Sequence, residues 1–254
     1  MATFYFFKIN KDDLFINTTT NGKLNLNHFR EVMVTHTATR SNEDKAVNGE
    51  GFINPIITTL NTKDVLISSC TIQGSLGYYN QAFLNDDENI SSNRVQHIFY
   101  TQAKVMITED YEVVLYFEFS EETSGKSKAK SLVEELELDL ETVRFSHELL
   151  TKIKENHKWT AAKMEKLDRI GDSTRTVSFE IDPADEGESQ IDEIYNDSGK
   201  LTHLTFDFKV DDTNTITIKL YKDNHGFIQN TEIENFPLSV NDVLIQLFEK
   251  LDSL

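Results

Sequence analysis

Hydrophobic alternation opens the chain and returns near its end, with helical spacing between. Residues 3–9 are an aromatic run that reads as a strand, with residues 14–17 as its hairpin partner and Asn21-Gly22 as a turn. Residues 27–34 fit a short helix through Phe29, Val32 and Met33, or strand alternation through Val32 and Val34. Residues 36–51 are a long polar loop. Residues 52–60 and 65–72 read as two strands, and Gly74 and Gly77 close that unit. Residues 85–93 form a second polar loop. Residues 95–108 and 111–119 make the clearest hairpin, turning at Glu109-Asp110. In its second strand Val113, Leu115, Phe117 and Phe119 share one face, and Val114, Tyr116 and Glu118 the other.

The period then lengthens. Ala129, Leu132, Val133 and Leu136 recur at helical spacing over 127–137. Residues 142–145 suit a short strand. Ser146 caps a second helix with Leu149, Leu150 and Ile153 inward. A third helical segment spans about 160–170 and stops at Gly171. Residues 176–181 read as a strand and 182–198 as an acidic insert with a helical turn at 191–195. Strict alternation follows: Leu204, Phe206, Phe208 and Val210 face in, while His203, Thr205, Asp207 and Lys209 face out. Ile216, Ile218 and Leu220 repeat the pattern, and 226–233 adds a strand. A last helix begins after Pro237, capped by Ser239, with Val240, Val243, Leu244, Leu247 and Leu251 on its apolar face.

These elements predict an α+β protein. A β-rich N-terminal region with antiparallel hairpins covers 1–122. An acidic α+β region covers 123–254, its helices packed on a small antiparallel sheet. The 95–119 hairpin touches both, which leaves one compact unit as the alternative. The 17 Phe and 8 Tyr favour a β-rich core. Cys70 is the only cysteine, so no intramolecular disulfide forms, and a reducing, cytoplasmic setting is expected. It lies in an apolar run and reads as a buried small hydrophobe rather than a nucleophile. The N-terminus lacks a signal-peptide pattern, and no stretch approaches the length of a membrane span, so no membrane partner is expected.

Charge changes the picture most. The net charge is −18. Residues 1–108 carry 9 basic and 10 acidic side chains, whereas 109–254 carry 16 basic and 33 acidic, so the excess belongs to the second part. Such a field repels phosphate backbones at long range and favours basic partners.

Four constellations carry candidate chemistry. Gly125-Lys126-Ser127 sits between a strand and a helix, but Ser120 stands where a phosphate-binding loop needs glycine, and Glu121 and Glu122 oppose phosphate. Asp182 with Asp207 and Lys209 matches the acidic pair and lysine of a metal-dependent nuclease or phosphodiesterase. Carboxylates would hold the metal and the lysine would orient water. The plainer reading makes Asp207 and Lys209 the wet face of a strand. A basic island over 144–175 includes Lys152, Lys158, Trp159, Lys163 and Lys166 and could serve a nucleic-acid-binding subunit, yet interleaved carboxylates also suit a solvated helix pair. The acidic insert groups Glu180, Asp182, Asp185, Glu186, Glu188, Asp192, Glu193 and Asp197 without one basic residue, and is either a solvated loop or a phosphate-backbone mimic. The seven histidines show no zinc-site spacing, so no metal or cofactor is expected. The leading expectation is a non-enzymatic acidic interaction protein. It would be an inhibitor or accessory subunit engaging a basic, nucleic-acid-type site on a protein partner, as in phage–host conflict.

Overall fold

The computed structural model describes residues 2–13, 18–38, 47, 49–86, 88–118, 123–167, 171–182, 189–195, 198–229 and 239–254. In chain order the elements are β1 (Ala2–Ile9), β2 (Thr19–Thr20), β3 (Lys23–Leu24), α1 (Leu26–Thr35), β4 (Gly51–Leu60), β5 (Lys63–Leu84), β6 (Ile90–Thr108) and β7 (Glu112–Phe117). They continue as α2 (Thr123–Glu134), β8 (Leu140–Thr142), α3 (His147–Asn156), β9 (Trp159–Glu165), β10 (Thr176–Glu180), α4 (Gln190–Tyr195), β11 (Lys200–Lys209), β12 (Thr215–Tyr221), β13 (His225–Ile228) and α5 (Val240–Asp252).

The expected division into a β-rich front and a helical back is overturned. One 11-stranded antiparallel sheet runs β10-β9-β11-β12-β13-β1-β7-β6-β5-β4, with β8 also pairing β1; strands make up 51% and helices 25%. The first strand is the reason. Six of its first seven residues are buried, because β1 lies mid-sheet between β13 and β7 with side chains covered on both faces. It joins the early and late strands into one layer, so the sheet crosses the 122/123 boundary.

The faces are filled differently. On one, Phe4, Phe6, Met106, Val114, Leu204, Phe206, Phe208 and Ile218 pack under Leu150 and Ile153 of α3 and Leu244, Leu247 and Phe248 of α5. On the other, Tyr5, Phe7, Leu66, Cys70, Val105, Val113 and Leu115 pack under Phe29 and Met33 of α1 and Ala129, Leu132 and Val133 of α2. This second core contains no residue of β9 to β13. That half of the sheet therefore presents a polar outer face.

Several predicted elements are present with shifted bounds. Residues 27–34 resolve as helix α1, capped by Asn25, whose side chain accepts from the His28 N–H. Ser146 caps α3 through the Leu149 N–H, and Ser239 with Asp242 forms a capping box on α5. Three predictions fail. The helix expected over 160–170 is strand β9 as far as Glu165. Its Ala, Lys, Met and Glu side chains are good helix formers, but pairing to both β10 and β11 satisfies the backbone as strand. Gly74 and Gly77 do not end a unit, and 85–93 is not one long loop. β5 continues to Leu84, and β6 begins at Ile90. The strand predicted at 14–17 lies outside the described residues.

Candidate functional site

Beyond Ile72 and Thr101, β5 and β6 leave the body of the protein as a two-stranded arm. Their pairing continues without a break in partnership from Gln73↔Tyr100 to Leu84↔Ile90, apart from one bulge between Ser75 and Tyr78. Gly77 supplies a φ of +91° at that bulge, a conformation L side chains rarely adopt. Gly74 leaves room for the Phe99 ring, which lies where a Cβ would stand. With about 12 residues per strand at ~3.3 Å each, the arm is ~40 Å long.

The arm carries its apolar side chains into solvent. Cross-strand partners share a face, so Leu84 joins Ile90, Tyr78 joins Gln96 and Ser75 joins Ile98 on one side, while Tyr79 joins Val95 and Phe83 joins Ser91 on the other. Ile90 is 79% exposed, Leu84 69% and Tyr78 59%. Arg94 lies 4.5 Å from the Tyr78 ring centroid, and Tyr79 meets His97 edge-on. The tip carries Asp86 and Glu88, and Arg94 is the one Lys or Arg of the arm's strands. β4 pairs β5 only as far as Thr71, and β7 pairs β6 only from Lys104. Among the described residues, no strand covers either outer edge of the arm.

The β4 edge of the sheet, by contrast, is guarded. β4 carries Pro55 at a register shift beside Asn54, whose φ is +53°. A proline and a bulge both discourage a further strand. Along the strands of the arm there is no proline and a single charged side chain, Arg94.

The acidic insert is placed in part. Glu180 ends edge strand β10, Asp182 follows it, and Glu193 is exposed on α4. Asp192 instead pairs with Lys154 at 2.5 Å, so its charge is neutralised within the molecule. Asp185, Glu186, Glu188 and Asp197 lie outside the described residues. Asp182 and Asp207 lie toward the same end of the sheet, because Glu180 pairs Ala161 and Phe206 pairs Trp159, with β9 between them. One intervening strand sets their backbones ~10 Å apart. Asp207 accepts from the Thr217 hydroxyl at 3.1 Å, and Lys209 follows on the same strand face. Among the described residues, no group of three His, Cys, Asp or Glu converges to hold a metal ion.

No protein-family model matches this chain, and no curated protein matches it.

The basic island separates. Lys152 on α3 reaches the carbonyl oxygen of Leu254. Lys158 follows the end of α3. Trp159 is half-buried, in a T-shaped contact with Phe179 and with Lys154 over one face of its ring. Lys163 points to the open sheet face and pairs with Glu165 at 3.1 Å. Lys166 lines a different cavity. On the open face, Lys163, Ser178, His203, Lys219 and Tyr221 surround a shallow depression of about 240 Å³. His203 meets Tyr221, which stacks on His225 at 4.2 Å. Burial, helped by Lys163 and Lys219, lowers His203 to about 4.

The charge pattern of the sequence does not mark the arm. Its signal was present as Leu76 between Gly74 and Gly77 and as Tyr78, Tyr79, Phe83 and Leu84 after them, but glycine read as a terminator hid it. Cys70 agrees with its sequence reading: it is buried, and burial pushes its thiol up to about 12. Gly125, Lys126 and Ser127 lie in the first turns of α2, while residues 120–122 lie outside the described residues. Among the described residues, no helix is long and apolar enough to cross a membrane.

Proposed function

We propose that this chain is an interaction protein whose β5–β6 arm docks in an apolar groove on a basic protein partner. The exposed apolar arm carries this reading. A two-stranded ribbon standing free in water is marginally stable, and large exposed apolar patches mark binding surfaces. At ~40 Å by ~10 Å, its two faces together offer ~800 Å², the share one partner contributes to a standard interface. The acidic tip at Asp86 and Glu88 and the net charge of −18 select the partner's sign. Glu180, Asp182 and Glu193 add exposed carboxylates to that field. The reading keeps the acidic interaction protein expected from sequence and assigns its contact to a different element.

The test is a pairwise capture experiment from a lysate of the native host. Wild-type protein is compared with Leu84→Asp/Ile90→Asp and with a chain in which an Asn-Gly turn joins Gly74 to Phe99. A partner with a basic surface should be retained by the wild type and weakened about tenfold or more by either change. Retention of the same proteins by the armless chain refutes the reading. A concentration-dependent dimer lost with the arm would also overturn it, since the arm would then serve a second copy.

A further inference from the structure

The largest cavity among those described inverts the charge of the molecule. It encloses about 660 Å³ between the start of α3, the ends of β8 and β9, the start of β11, the β12–β13 turn and α2. Five cations line it: Lys126, Arg144, Lys166, Lys200 and Lys222. Three carboxylates oppose them: Glu148, Glu165 and Asp223. An excess of cations in a chain of net −18 is not what a random patch of this surface would show. The cations come from separate elements of chain order, so the fold, and not a local run of sequence, assembles them.

The carboxylates do not cancel this excess. Glu165 is held by Lys222 at 2.9 Å and by Lys163, two residues back on the same face of β9, at 3.1 Å. Asp223 faces His225, with Nδ1 to Oδ1 at 2.8 Å. Glu148 lies in the first turn of α3, where hydrogen bonds from its own N–H and the Ser146 hydroxyl hold its carboxyl below the usual range. A carboxylate of the chain thus rests at the helix start, a position suited to an anion.

Two further groups complete the lining. The Leu201 N–H donates to His147 Nδ1 at 3.0 Å. A neutral imidazole that accepts at Nδ1 carries its proton on Nε2, so His147 offers a donor from its other nitrogen. Lys126 sits 4.7 Å from the Tyr5 ring centroid, and burial lowers its pKa despite the Asp223 charge. A cation desolvated in this way gains from an arriving anion.

We infer that the cavity binds a small anion of nucleotide size bearing more than one phosphate group, with Arg144 and Lys200 flanking the helix start and Glu148 displaced on binding. The volume falls within the ~300–1,000 Å³ range of small-molecule sites. Cations spread over five segments suit an extended polyphosphate better than a single phosphate ion. The site is separate from the arm and does not depend on the proposed docking function.

Isothermal titration of the full chain tests this with tripolyphosphate, a nucleoside triphosphate, inorganic phosphate and an oligothymidylate. Saturable binding of one tripolyphosphate or nucleoside triphosphate per chain is expected, tighter than inorganic phosphate. Arg144→Gln/Lys200→Gln should weaken it about tenfold or more, the usual scale for losing charge-assisted hydrogen bonds. Glu148→Gln should tighten it, a gain that mere misfolding cannot give. Lys219→Gln, outside the cavity, should leave it unchanged. Equal binding by the double variant and the parent overturns the inference, as does no saturable binding at millimolar ligand. Tighter binding of oligothymidylate than of triphosphate also overturns it, by assigning the surface to nucleic acid.

Discussion

Lys63 shows how much one side chain can tie together. Its ammonium reaches Asp110 at 3.1 Å, Glu112 at 3.2 Å and Glu249 at 3.1 Å, joining the β4–β5 turn to the β6–β7 turn, β7 and α5. Glu112 is buried, and burial raises its carboxyl despite Lys63 and Thr108. Lys63→Met should therefore destabilise the fold by about 3 kcal/mol, by leaving a buried carboxylate without its cation. A raised carboxyl favours the folded state once protonated, so the deficit should shrink as pH falls through the Glu112 titration. Urea unfolding of both proteins at neutral and mildly acid pH measures this. His203 gives the opposite slope. Its folded value of about 4 lies below the unfolded value of 6.5, so the unfolded chain binds the extra proton. Stability should fall as pH drops between these values and level off below about 4. His203→Gln should flatten that limb while leaving the Glu112 response intact.

Elements obey rules that single residues do not reveal. β9 has a helix-forming composition yet is a strand, because its place between β10 and β11 outweighs propensity. The helix caps, by contrast, were legible: Ser146 and Ser239 stand where a short polar side chain meets free N–H groups. The arm is the clearest test at this scale. It adds little to either core, so the chain with Gly74 joined to Phe99 should melt within about 3 °C of the full protein. A loss of cooperative folding would mean the arm is part of the structural core. Gly74→Val should push the Phe99 ring from its place and loosen the arm alone. Hydrogen exchange should then quicken over residues 75–98 while β1 and β7 keep their protection.

For the whole molecule, charge and exposed surface divide the work. The net charge of −18 acts at a distance, and the arm supplies contact area. Partner capture should therefore have a salt-sensitive approach and a salt-resistant hold. Raising salt from about 0.05 to 0.5 M shortens the screening length severalfold and should slow association while changing dissociation little. Arm substitutions should do the reverse, shortening the lifetime of the complex. Surface plasmon resonance with the captured partner separates the two; a salt effect confined to dissociation would contradict this division.

The sequence by itself determined the short-range features: the aromatic first strand, the alternating Leu204–Phe206–Phe208 series, the capped helices, the buried thiol and the uneven charge. Each depends on neighbours a few residues apart. Only the tertiary structure decided that β1 joins the early and late strands in one sheet, since Thr3 contacts Phe117 on one side and Phe227 on the other. It alone brought Lys126, Arg144, Lys166, Lys200 and Lys222 around one cavity. It also decided that the strands flanking residues 85–89 extend beyond both helical layers. Apolar residues in a sequence announce burial, but whether anything covers them depends on where distant elements end. In this fold the covering helices stop short of the arm, leaving its apolar faces exposed.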